Sequence, residues 1–246
     1  MNRIQTKPHT FQPTPHYSTQ VQHARTSTAH EVRPAHATFA PMHYEQNYAY
    51  PLLVWLHGPD DDERQLQRIM PLVSMRNYVA IGPRGTSQSD LDPRGYCWRQ
   101  TERDITLAEE SVLNCVELAR QRYHISPSRI FIGGYDCGGT MAFRVGLRNP
   151  DLFAGILSIA GRFPMEYRPL ANYMKAREVP MLIAQGMEAK KYSTDDLCSE
   201  LRLFHSASFK VNVRQYPCGD ELTTQMLHDM DVWMMERVTD VAADAV

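Results

Sequence analysis

Apolar residues along this chain fall into short dense runs separated by amphipathic stretches. LLVWL (52–56), YVAIG (78–82), RIFIG (129–133), FAGILSIA (153–160), VPMLIAQ (179–185) and FKVNVRQY (209–216) are each the length of a strand and apolar enough to be covered on both faces. Between them the period lengthens to that of a helix. In DITLAEESVLNCVELARQRY (104–123), Ile105, Ala108, Val112, Val116 and Ala119 form one stripe, and Thr106 with Glu109 is placed to form a capping box. Strand and helix alternating with short connections predict an α/β fold, a mostly parallel twisted sheet with helices on both faces. Sites in such sheets form beyond the carboxyl ends of the strands.

Upstream of Leu52 the texture is different. Residues 1–38 are rich in Pro, His, Thr and Gln and poor in large apolar groups, so little burial is available to offset the entropy of ordering them. They read as a mobile tail preceding a domain at 39–246. Within it His9, His16, His23 and His30 recur every seventh residue, followed by His36 and His43. Prolines at 8, 13, 15, 34 and 41 exclude one continuous helix that would align them. Compositional bias accounts for the ladder without a metal site.

Composition narrows the class of partner. The chain has 246 residues, is 43% apolar and carries a formal charge of −2, so it lacks the basic excess that nucleic-acid or anionic-membrane partners usually require. A small molecule or a protein is the expected partner. The N-terminus has no apolar signal core and no run is long enough to span a bilayer, which makes a cytoplasmic location the expectation. Five widely spaced cysteines, 97, 115, 137, 198 and 218, with no C-x-x-C pair, read as reduced thiols. No cofactor or metal motif is evident.

The chemistry concentrates at RIFIGGYDCGGT, where a strand runs into the helical pattern TMAFRVGLRNP. Gly134-Tyr135-Asp136-Cys137-Gly138 is a strand-to-helix elbow of the G-x-nucleophile-x-G type, with aspartate at the apex. With LLVWLHG, AIGPRG, GILSIAGRFP and YPCGDELTTQMLHDMDVWM in order, the chain resembles the α/β-hydrolase superfamily. Within it, residues 40–240 resemble the phospholipase/carboxylesterase branch that includes acyl-protein thioesterases. The resemblance implies an elbow serine, an acid after a later strand, and a histidine near the C-terminus. It also implies an oxyanion hole built from the backbone N–H groups that follow the HG dipeptide and the serine.

Transferred position by position, each of these is altered. The serine position is Asp136. The acid position in Gly186-Met187-Glu188-Ala189 is Ala189, with Glu188 beside it, and the histidine position in Tyr216-Pro217-Cys218-Gly219-Asp220-Glu221 is Asp220. The residue after His57-Gly58 is Pro59, which has no N–H to donate; Cys137 still supplies the second oxyanion-equivalent N–H. Cys137 itself, one residue past the apex, reads as a partly buried structural thiol. His57 reads as a loop-shaping residue, His124 as part of a helix-to-strand connection, His205 as partly packed in its helix, and His228 as turned to solvent.

Two readings follow. In one, the fold has lost esterase chemistry and acts as a binding or regulatory module; in the other, Asp136 attacks an alkyl carbon and an unidentified base hydrolyses the ester. Both place two carboxylates, Asp136 and Asp220, close together, where they cannot both ionise without relief. Arg162, after GILSIA, is the expected counter-ion; a shared proton, or a cation held by Asp136 and Asp220 with or without Glu188, are the other routes.

Overall fold

The computed structural model describes residues 35–243. The predicted apolar runs become strands β2 (Tyr50–Leu56), β3 (Val79–Pro83), β6 (Ile125–Tyr135), β7 (Gly155–Ile159), β8 (Met181–Gly186) and β9 (Val211–Tyr216). A short β1 (His36–Phe39) completes a seven-stranded sheet of order β1-β3-β2-β6-β7-β8-β9. All neighbouring pairs are parallel except β1 with β3. A two-residue pair, β4 (Ser87–Gln88) and β5 (Tyr96–Cys97), forms a separate small ribbon.

Side chains alternate across this sheet into two cores, which is why the central strands read as unbroken apolar runs. Leu52, Val54, Leu56, Ile130, Ile132, Ile156, Met181 and Ile183 face one core, with α2 (Glu102–Arg122), α3 (Cys137–Arg148) and α5 (Thr194–Ser206). Leu53, Trp55, Phe131, Leu157 and Leu182 face the other, with α1 (Gln65–Val73) and α6 (Thr224–Ala243). A one-turn helix, α4 (Tyr173–Ala176), follows β7.

Two boundaries differ from expectation. The sequence places 36–38 in the tail, but His36–Phe39 pairs with β3 in register Phe39↔Ala80 through His36↔Pro83. HATF, flanked by prolines, is too short to carry a strand pattern of its own; the open edge of β3 supplies the partner. The ladder residues His9, His16, His23 and His30 lie outside the described residues. The stripe of α2 is buried as expected, yet its cap is Thr101, whose side chain accepts from the Asp104 N–H, not Thr106. Glu109 instead reaches α3, accepting from Arg148 at 3.1 Å and from Asn149 at 2.6 Å.

Among the described residues, no helix is long and apolar enough to cross a membrane.

Candidate functional site

The elbow joins β6 to α3 at the carboxyl end of the sheet. Asp136 at its apex has φ 51° and ψ −118°, a conformation that L-residues rarely adopt and that costs on the order of 1–3 kcal/mol. The surrounding glycines make it unavoidable. A Cβ on Gly134 would stand 2.4 Å from the Gly138 carbonyl carbon, and one on Gly138 would stand 2.3 Å from the Leu56 carbonyl oxygen. Helix, strand and HG loop therefore approach closely only with glycine at both places. The Asp136 N–H donates to the Ile159 carbonyl at 2.8 Å, and its carbonyl accepts from Thr140 at 3.0 Å.

The Asp136 carboxylate accepts from Lys191 Nζ at 2.9 Å. Lys191 lies in the loop after β8, two residues beyond Ala189, and its pKa is raised by that hydrogen bond and by the charge of Asp136. Asp220, in the loop after β9, accepts from the backbone N–H groups of Lys190 at 3.1 Å and Lys191 at 3.0 Å. One residue thus serves both carboxylates, Asp136 through its ammonium and Asp220 through its backbone N–H. Tyr135 ties the assembly from below: its hydroxyl donates to the Asp220 carbonyl, and its ring closes over Gly58. Burial raises the Tyr135 pKa, with the charge of Asp136 adding to it, so the phenol stays protonated as a donor.

This arrangement corrects the expected counter-ion. Arg162 donates to Asp196 instead. Asp196 is held at the start of α5 by the Ser193 capping box, which presents its free oxygen to Arg162. Lys191 was missed although a signal existed: two lysines directly follow the acid position, and two facing carboxylates require a cation. Glu188 is exposed, its N–H bound to the Cys218 carbonyl, and Ala189 is buried with its N–H on the Gly186 carbonyl. Among the described residues, no group of three His, Cys, Asp or Glu side chains could hold a metal ion.

On the oxyanion side, Pro59 follows Gly58, and the Gly58 N–H donates to Gln65 Oε1 at 3.2 Å, an acceptor shared with Trp55 Nε1. His57 is buried with both ring nitrogens engaged. Gly85 N–H donates to Nε2 at 2.8 Å, which leaves Nδ1 to donate to the Gly58 carbonyl at 2.7 Å. Burial lowers its pKa, and the neutral ring stitches the HG loop to the loop after β3, a shaping role. Burial likewise pushes the Cys137 thiol up to about 12, far from a thiolate nucleophile at neutral pH. His124 precedes β6 at the opposite end from the elbow. His228 is exposed, and His205, expected to be partly packed, is exposed as well because Phe204 takes the buried position beside it.

The fold has counterparts among solved structures. Esterase PE8 matches with a TM-score of 0.64 at 19% identity, over 83% of this chain and 99% of that one. The Bacillus cereus carboxylesterase gives 0.67 at 18% over 84% and 96%. The Zea mays acyl-protein thioesterase 2 gives 0.65 at 14% over 83% and 99%. By sequence, the esterase-designated protein NocK of Nocardia uniformis subsp. tsuyamanensis is 26% identical over 147 residues, which is 55% of this chain and 39% of that protein. The phospholipase/carboxylesterase family model matches residues 42–242, and the chain belongs to that family.

Proposed function

We propose that this family member has lost ester hydrolysis and acts as a binding or regulatory module for a small molecule or a protein. The observation that carries this reading is the Asp136–Lys191 ion pair at the elbow apex. A nucleophilic aspartate needs a base to hydrolyse its ester, and an ester-cleaving serine needs a histidine. Here the histidine position is Asp220, engaged with backbone N–H groups, and the nearby His57 has no ring nitrogen to spare. Pro59 at the oxyanion position supports the same reading, since losing one donor typically costs on the order of 3 kcal/mol of transition-state stabilisation.

The test is p-nitrophenyl ester turnover and fluorophosphonate labelling, with mass spectrometry for an alkyl adduct on Asp136 after haloalkane or epoxide exposure. No turnover, label or adduct is expected. Turnover on the order of 1 per second that Asp136→Ala abolishes would overturn the reading and identify Asp136 as a working nucleophile.

A further inference from the structure

Glu200 is a buried carboxylate that the elbow does not use. It sits on α5 at 9% exposure and accepts from the Phe163 N–H at 3.0 Å and from the Tyr192 hydroxyl at 2.5 Å. Both donors are neutral. Among the described residues no lysine or arginine forms an ion pair with it: Arg162, the adjacent cation, is spent on Asp196. A buried carboxylate without a cationic partner is costly, and proteins normally pair such a group.

Glu200 also lines a surface cavity of about 250 Å³ between α5 and residues 162–165. Ser199 and the Arg162–Asp196 pair give that cavity its polar edge, and Phe163, Met165 and Leu203 its apolar wall. We propose that this cavity binds a primary alkylammonium group, with Glu200 as counter-ion and Phe163, Met165 and Leu203 around the hydrocarbon. Two carboxylate oxygens with one neutral donor each have acceptor capacity left, and an ammonium supplies the missing charge. An anionic group would meet Glu200 and Asp196 with Arg162 alone to offset them, and a neutral alcohol would leave the excess negative charge uncompensated. This inference does not rest on the loss of esterase chemistry.

The state of Glu200 sets the pH range. Burial raises its carboxyl pKa, opposed by the Tyr192 and Phe163 hydrogen bonds and by Arg162, and reinforced by Asp196. As pH falls through that raised value the carboxyl becomes neutral, while an alkylammonium stays charged. Binding therefore weakens on acidification.

The experiment is calorimetric titration of the full chain with n-hexylammonium, n-hexanol and hexanoate. Hexylammonium is expected to bind one per chain and at least about tenfold more tightly than hexanol, the usual worth of a charge-assisted hydrogen bond, with hexanoate weakest. Glu200→Gln is expected to remove the preference for the ammonium, and Leu203→Trp to block both hexylammonium and hexanol by filling the cavity. Equal affinity for the three probes, no binding, or an ammonium preference that survives Glu200→Gln overturns the proposal. Loss of hexylammonium binding in Asp136→Asn also overturns it, by placing the cation at the elbow. If Glu200→Gln fails to fold, the decision falls to Leu203→Trp, and undiminished hexylammonium binding there is fatal to the proposal.

Discussion

At the β6–α3 elbow the backbone is held by what is missing, the side chains of Gly134 and Gly138, while in the loops after β8 and β9 it is held by contacts that Lys191 and Asp220 make. The elbow has a left-handed apex, and the residue there is an aspartate in an ion pair. The facing loops keep their positions at the strand ends, but Asp220 accepts from backbone N–H groups and the position beside it in space, Ala189, carries no charge. Steric demands on a strand-helix crossing persist whatever the chemistry, because they belong to the fold's packing. Side chains in loops answer only to charge and hydrogen bonding, so they can be exchanged while the framework stands.

If that contrast is right, the elbow glycines are the most sensitive point. Gly138→Val drives side-chain atoms into the Leu56 and His57 carbonyls and is expected to cost about 3 kcal/mol in denaturant unfolding, or to prevent folding. A variant as stable as the parent would show that the helix can move off the strand, and the steric account would fail.

Rebuilding the lost side chains probes the other half. Asp136→Ser alone is expected to leave fluorophosphonate labelling at background, because an unassisted hydroxyl is a weak nucleophile. Combined with Ala189→Asp and Asp220→His it should label, and adding Pro59→Leu should raise ester turnover by about 100-fold by restoring an oxyanion N–H. A folded fourfold variant that never labels would mean that Ala189 or Asp220 has been assigned in the wrong register.

Smaller effects are expected in the loops themselves. Asp220→Ala removes the acceptor for two backbone N–H groups and should cost about 1 kcal/mol, visible as faster amide exchange at Lys190 and Lys191 with little change in the global midpoint. Exchange unchanged at those amides would dissociate Asp220 from the loop. Smallest of all, Lys191→Met should alter stability by less than about 1 kcal/mol, since its side chain is 63% exposed and the pair is screened by solvent. A larger loss, insensitive to added salt, would show that the ion pair carries the site's stability and not merely its charge balance.

Much of this was legible along the chain. The six apolar runs became the six parallel strands; β2, β3, β7 and β8 are buried on both faces and have no freedom to be polar on either, whereas β9 at the sheet edge is only partly covered. The stripe of α2 became its buried face for the same reason. The elbow was legible because glycines at fixed offsets from a strand end have a steric cause. Other features carried no such local mark. The strand at 36–39 is made by the exposed edge of β3, and Glu109 finds its partner 39 residues away at Arg148.

What the sequence determined, then, was the layered sheet, its two cores and the glycine-framed elbow, all consequences of periodicity and of backbone sterics that act over a few residues. The tertiary structure alone decided which cation meets Asp136. Arg162 and Lys191 both follow strands at the site end of the sheet, and nothing in their spacing distinguishes them. The choice falls on Lys191 because the α5 cap holds Asp196 where Arg162 can reach it, while Asp220 draws the 190–191 backbone toward the elbow. Ion pairs between loops are set by where folded strands end in space, a distance that does not exist in the sequence until the sheet has formed.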